Sequence, residues 1–199
     1  MKVTRMRHSS RRVRGFTLVE LVVTILILAI LSAMAMPSFR NFMRRNTVTS
    51  QSNALLADIQ YARNKAISER TVTGLCPSSA GTSCSASNAL ENGWAVYREN
   101  TPGAAATLSA DDDLLHMSQS KNGVSIRLVD GGGAAVQSIG FNQQGELLSG
   151  TGVSFLICAR SSGDSIGKST PESKGSELFV SSSGRPTIRQ MAAGASCST

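Results

Sequence analysis

The chain has 199 residues, 41% of them hydrophobic, and a formal net charge of +7, which leaves room for one domain of ordinary size and argues against two. Six of the 20 basic side chains (Lys2, Arg5, Arg7, Arg11, Arg12 and Arg14) precede Gly15, whereas all 13 acidic ones follow it, so residues 16 onward carry 14 basic against 13 acidic groups. The basicity therefore belongs to the first fifteen residues, and net charge does not imply a general nucleic-acid-binding surface.

Residues 1–15 read as a short basic leader. From Phe16 to Met36 the run FTLVELVVTILILAILSAMAM contains one charge, Glu20. As a helix, this run spans about 31 Å at ~1.5 Å per residue, close to the thickness of bilayer hydrocarbon. A transmembrane helix is expected over 16–36, with the basic flank in the cytoplasm and the remainder of the chain across the membrane. The rival reading is a secretory signal peptide cleaved near Ala33-Met34-Ala35. The length of the run argues against it, and so does Glu20, because a carboxylate at the centre of a span costs about 2.5 to 3.5 kcal/mol and usually marks function.

The segment Arg14-Gly15-Phe16-Thr17-Leu18-Val19-Glu20, followed by the apolar run and Pro37, resembles the prepilin peptidase site of type IV pilins and type II secretion pseudopilins. That resemblance implies leader cleavage between Gly15 and Phe16, N-methylation of Phe16, and retention of the helix as membrane anchor and filament core. Cleavage would create an amine at Phe16, four residues from Glu20 and on the same helical face, where ammonium and carboxylate can neutralise each other. The pair forms within one helix or, as the resemblance implies, between an incoming subunit and its neighbour, which makes Glu20 an assembly residue. Pro37 lacks an amide proton and is expected to kink the helix where it leaves the bilayer.

Over 37–70 the helix is expected to continue in amphipathic form, because Leu55, Ile59, Ala62 and Ala66 follow the i, i+3, i+4 pattern with Leu56 and Ile67 alongside. Arg63, Lys65 and Arg70 are read as its solvated face. Beyond residue 70, β-rich runs alternate with Gly/Ser/Asn/Asp clusters. Strands are expected at 72–75, 94–98, 114–117, 124–129, 135–141, 153–158, 178–181 and 187–190, with a turn at 130–133. Helix first and sheet second predicts an α+β fold, in which a long N-terminal helix packs its outer half on a mostly antiparallel head over 71–199.

Four cysteines, Cys76, Cys84, Cys158 and Cys197, all follow the apolar run, so an exported head would meet an oxidising compartment. Three pairings are open, and Cys76 to Cys84 with Cys158 to Cys197 is the most economical. Zinc is the rival use of these cysteines, although tighter C-x2-C pairs and usable histidines would be needed. No catalytic set is visible: His8 lies in the leader and His116 stands alone, which leaves no positioned base for a nucleophile. An enzyme is not expected, and no cofactor or metal is required. Asp111 to Asp113 lack the spacing of a calcium loop, and Gly131 to Gly133 match a hairpin turn rather than a phosphate-binding loop.

The segments YARNKAISER (61–70), GWAVYREN (93–100), FNQQG (141–145) and SSSGRPTIRQ (181–190), with the loop between Cys76 and Cys84, narrow the resemblance to the GspH/FimT branch of minor pilins and minor pseudopilins. It implies a bacterial inner-membrane protein with a periplasmic head, and as partners the prepilin peptidase, other minor pilins, the major pilin and the inner-membrane assembly platform. The expected function is initiation, assembly or tip formation of a type IV pilus. The alternatives are a type II secretion pseudopilin and a DNA-binding minor pilin. For the last, Arg185 and Arg189 are the candidate DNA contacts, in an element that resembles a Gly-Arg-x-Arg motif but has its second arginine displaced and a proline intervening.

Overall fold

The structure, a computed structural model, describes residues 15–100, 108–109, 111–161 and 163–198, and of the residues within its helix the side chains of 34 and 37 are not described. Leader residues 1–14, including His8, thus lie outside it. Helix α1 runs Leu18–Glu69 and is followed by eight strands: β1 Val72–Pro77, β2 Trp94–Glu99, β3 Asp113–Ser118, β4 Val124–Asp130, β5 Ile139–Phe141, β6 Val153–Ala159, β7 Ser176–Val180 and β8 Pro186–Gln190. The chain divides into two compact units, Met1–Phe39 and Arg40–Thr199.

In the first unit α1 starts where Thr17 caps it: the Glu20 amide donates to Thr17 Oγ1 at 3.2 Å, and the Leu21 amide to the Thr17 carbonyl. Threonine at the cap with glutamate three residues on is a capping-box sequence, and the carboxylate suits the positive end of the helix. The hydroxyls of Thr24 and Ser32 donate to backbone carbonyls one turn back, so these polar groups are satisfied inside the helix. The apolar side chains from Phe16 to Leu31 project outward. No single helix among the described residues is long and apolar enough to cross a membrane, but Leu18–Ala33 and Ser38–Glu69 taken together, as a broken span, meet that criterion. The kink expected at Pro37 falls at the division between the units and on a side chain that is not described.

The second unit holds the core. The predicted helical stripe is fully buried at Leu55, Ile59, Ala62 and Ala66, and Val48 extends it. These side chains form one cluster with Leu75 and Trp94 of β1 and β2 and with Ile126, Phe155 and Leu178 of β4, β6 and β7. The expected single sheet is in fact two four-stranded antiparallel sheets, β3-β2-β1-β5 and β4-β6-β7-β8. The strand expected over 135–141 is shorter than its composition suggests: only Ile139–Phe141 pairs, with β1, while Ala135 makes a lone bridge to Val129 after the predicted 130–133 turn. Gly133 closes that turn by donating to the Asp130 carbonyl at 3.0 Å.

The helix stops at Glu69 although no glycine follows. Arg70 takes the left-handed conformation at φ 52°, and the Thr71 amide returns to the Ala66 carbonyl at 3.2 Å, as in a Schellman cap. Thr73 Oγ1, buried in β1, then donates to the Ala62 carbonyl at 2.8 Å and ties the strand back to the helix. The strongest tie is Asp58, 9% exposed on the apolar stripe. Its Oδ2 accepts the indole N–H of fully buried Trp94 at 2.7 Å and the hydroxyl of Ser118 at 2.6 Å. A buried donor left without its acceptor costs about 1 to 3 kcal/mol. Asp58→Ala is therefore expected to destabilise the protein by about 3 kcal/mol, read as a lowered urea midpoint with an unchanged slope, whereas Ser118→Ala, which spares the indole bond, costs less.

Candidate functional site

Three places carry the side chains that chemistry would need: the start of α1, the clasp around Asp58, and the β7–β8 hairpin. At the first, Phe16 is 82% exposed and Glu20 is exposed one turn further on. A Cβ added to Gly15 would meet nothing within 4 Å. Nothing in the described packing therefore demands glycine beside Phe16.

The clasp corrects the reading of His116 as solitary. His116 Nε2 lies 3.2 Å from Ser118 Oγ and 3.6 Å from Asp58 Oδ1, with the Tyr61 ring edge-on at 6.3 Å between centroids. The three residue types match a hydrolytic triad, but the geometry does not. A nucleophilic serine gives its proton to a histidine whose opposite ring nitrogen is held by the carboxylate. Here Ser118 donates directly to Asp58, and both meet the same imidazole nitrogen, so the group ties β3 to the helix. Asp58 escaped the sequence reading although a signal existed: it stands three residues after Leu55 and four before Ala62, on the apolar face.

At the hairpin the structure separates the two candidate arginines. Arg189 binds Glu177 of the neighbouring strand through Nε and Nη2 at 2.9 and 2.8 Å, and its guanidinium lies over the Phe179 ring. The hydrogen-bonded Arg189 holds the Glu177 carboxyl below the usual carboxylate range, and the Ser154 hydroxyl adds to this. Arg185 is exposed in the turn, where its amide is fixed by Ser181 Oγ at 3.2 Å. The hairpin therefore offers one cation free of any carboxylate among the described residues, not two.

Several of the segments singled out in the sequence meet at this end. Arg63 of α1 donates to the carbonyls of Gly145 and Ser183 at 2.9 and 3.4 Å. Gly184, at φ 74°, sits so close to the Gly145 carbonyl that a Cβ would overlap it, and Gly145, at φ 77°, has Ile67 where its own Cβ would stand, which accounts for glycine in both SSSGRP and FNQQG. A further network links Lys65, Glu69, Arg98 and Asp113 across the helix end, β2 and β3. The hydrogen bond from Arg98 holds Asp113 below its ordinary range. Asp112 accepts from the Asn100 amide and from Ser109, so its carboxylate, like the Asp113 oxygen that meets Arg98, is taken up by the protein. No group of three metal-ligating side chains occurs among the described residues. The cysteines pair as Cys76–Cys84 and Cys158–Cys197.

A family model described as the type II transport protein GspH matches residues 51–188, and one described as the prokaryotic N-terminal methylation motif matches residues 10–36. No curated protein matches the chain. Among solved structures, the type IV minor pilin FimU of Pseudomonas aeruginosa is 22% identical, with 77% of this chain and 96% of that one covered at a TM-score of 0.52. The minor pseudopilin EpsH of the type II secretion system of Vibrio cholerae is 13% identical, with 76% and 98% covered at a TM-score of 0.46.

The Arg189–Glu177 pair makes a prediction with a defined sign. A carboxyl whose folded-state pKa is depressed stabilises the fold above its unfolded pKa and loses that contribution as pH falls through the folded one. Arg189→Ala should therefore lower the melting temperature at pH 7, and the gap from wild type should shrink as the pH is taken below about 4.

Proposed function

The chain belongs to the GspH family, and from that membership we propose that it is a minor pilin of the type IV pilus system, which acts in initiation or at the tip of the filament. The observation that carries this reading is the start of α1. A methylation motif covers residues 10–36, and it leads into a helix whose large apolar side chains are exposed from Phe16 to Leu31. Such a surface is stable only in lipid or against other helices. In this reading the prepilin peptidase cleaves between Gly15 and Phe16, and the freed amine is methylated. In this reading glycine at position 15 serves the peptidase, a role supported by the lack of any steric demand for it among the described residues. The cap supplied by Thr17 lies downstream of the scissile bond and survives cleavage. Glu20 then carries the one charge at membrane depth and compensates the Phe16 amine of a neighbouring subunit during assembly. The prepilin peptidase, other minor pilins, the major pilin and the inner-membrane platform are the partners this mechanism requires, and the head stays on the periplasmic side until extraction.

A tip or priming role is supported by the head. Two disulfides, each worth about 2 to 4 kcal/mol, staple an irregular pair of sheets, which suits a subunit present in few copies. The second reading, a minor pseudopilin of type II secretion, shares the family and the start of α1.

In a strain with an in-frame deletion, surface pili recovered by shearing should be lost and should return on complementation. Pili that persist while secreted enzymes fall would assign the protein to type II secretion instead. Complementation with Gly15→Ala should leave an unprocessed, larger chain on immunoblots and fail to restore pili. Normal processing of that variant would overturn the cleavage assignment.

A further inference from the structure

Several cations of the head face a carboxylate: Lys65 and Arg98 meet Glu69, Arg98 also meets Asp113, Arg127 meets Glu91, and Arg189 meets Glu177. The exceptions include two that share one small cleft. Arg44 of α1 and Lys168 of the β6–β7 connection, both exposed and without an acidic partner among the described residues, line a cleft of about 80 Å³ with Ser161, Asp164, Thr170 and Ser173. Ser173 is 4% exposed, and its hydroxyl is buried with no hydrogen-bond partner. A buried polar atom without a partner is costly and calls for an explanation. This one lies beside two cations and two further hydroxyls.

The cleft is built rather than incidental. Thr170 and Ser173 close a tight turn, in which the Thr170 amide donates to the Ser173 carbonyl at 3.1 Å and the Ser173 amide to Thr170 Oγ1 at 3.0 Å. The Ser169 amide donates to the Ala195 carbonyl at 3.2 Å, and Lys168 bridges to Ser196, next to the Cys158–Cys197 disulfide that holds the tail. On the other flank Arg45 donates to the Glu172 carbonyl, and Arg45 and Lys174 line a neighbouring cleft that adds positive charge.

Two cations, three hydroxyls and space for little more than one tetrahedral oxyanion define a phosphate site. Its place in the chain selects the source: Arg44 is eight residues past Met36, the end of the apolar run. Resting on the membrane-anchored reading above, we infer that Arg44, Lys168 and Ser173 bind the headgroup phosphate of an anionic phospholipid in the outer leaflet of the inner membrane. Asp164 opposes the anion and limits its affinity, which suits a subunit that must leave the bilayer.

The full-length chain in neutral detergent, titrated with phosphatidylglycerol and read by native mass spectrometry, tests this. Wild type should retain one lipid per chain. Arg44→Ala with Lys168→Ala should weaken binding about 30-fold, since each basic residue favours an anionic lipid surface by about fivefold. Ser173→Ala should weaken it less, and Asp164→Asn should strengthen it, all at unchanged melting temperature. Unaltered lipid affinity in the double variant would overturn the site. Displacement of the lipid by equimolar inorganic phosphate would overturn the lipid assignment in favour of free phosphate. Carbonate-resistant membrane integration, which needs neither Arg44 nor Lys168, reports failure of the anchor separately.

Discussion

Everything in the head depends on one constraint: a single helical face, from Val48 through Leu55, Ile59 and Ala62 to Ala66, is the apolar surface shared by two sheets. Small residues at 62 and 66 let strands approach closely, while Leu55 and Ile59 fill the space between layers. Polar ties sit at the margins of this stripe and set the register of each sheet on it. Thr73 binds the Ala62 carbonyl, Trp94 and Ser118 bind Asp58, and Arg63 binds the two glycine-bearing turns. The ties join residues from 11 to 82 positions apart, so both sheets are referred to the same helix.

The distribution of charge follows a division of labour. Around the end of α1 and on the sheets, Lys65, Arg98, Arg127 and Arg189 are matched to carboxylates, which neutralises part of a surface that would otherwise bind polyanions without selectivity. Where the start of the second unit meets the β6–β7 connection, Arg44, Lys168 and Lys174 lack such partners among the described residues. The tail disulfide, which looks like a simple staple of the C-terminus, holds Ala195 and Ser196 where they support the segment that carries Lys168 and Ser173.

Much of this was legible in the residues. The apolar run, the lone Glu20 and the i, i+3, i+4 stripe each follow from local periodicity. Strands could be placed to within a few residues because β-branched and aromatic runs are bounded by Gly, Asn and Asp clusters. The strand expected over 135–141 is shorter because composition reports what a segment tolerates, not whether a neighbouring strand with free backbone groups is in reach; only Ile139–Phe141 finds one, on β1.

What the chain order alone determined is therefore local: a basic leader, an apolar helix with one carboxylate near its start, an amphipathic continuation, and a β-rich head with four oxidisable cysteines. Tertiary structure decided the split into two sheets, the partnering of Asp58 with Trp94 and Ser118, the capture of Arg189 by Glu177, and the meeting of Arg44 with Lys168 and Ser173. Helical and strand periods are written within a few residues of one another. By contrast, hydrogen bonds and ion pairs between residues 12 to 127 positions apart depend on how separate elements pack, and no local pattern encodes that.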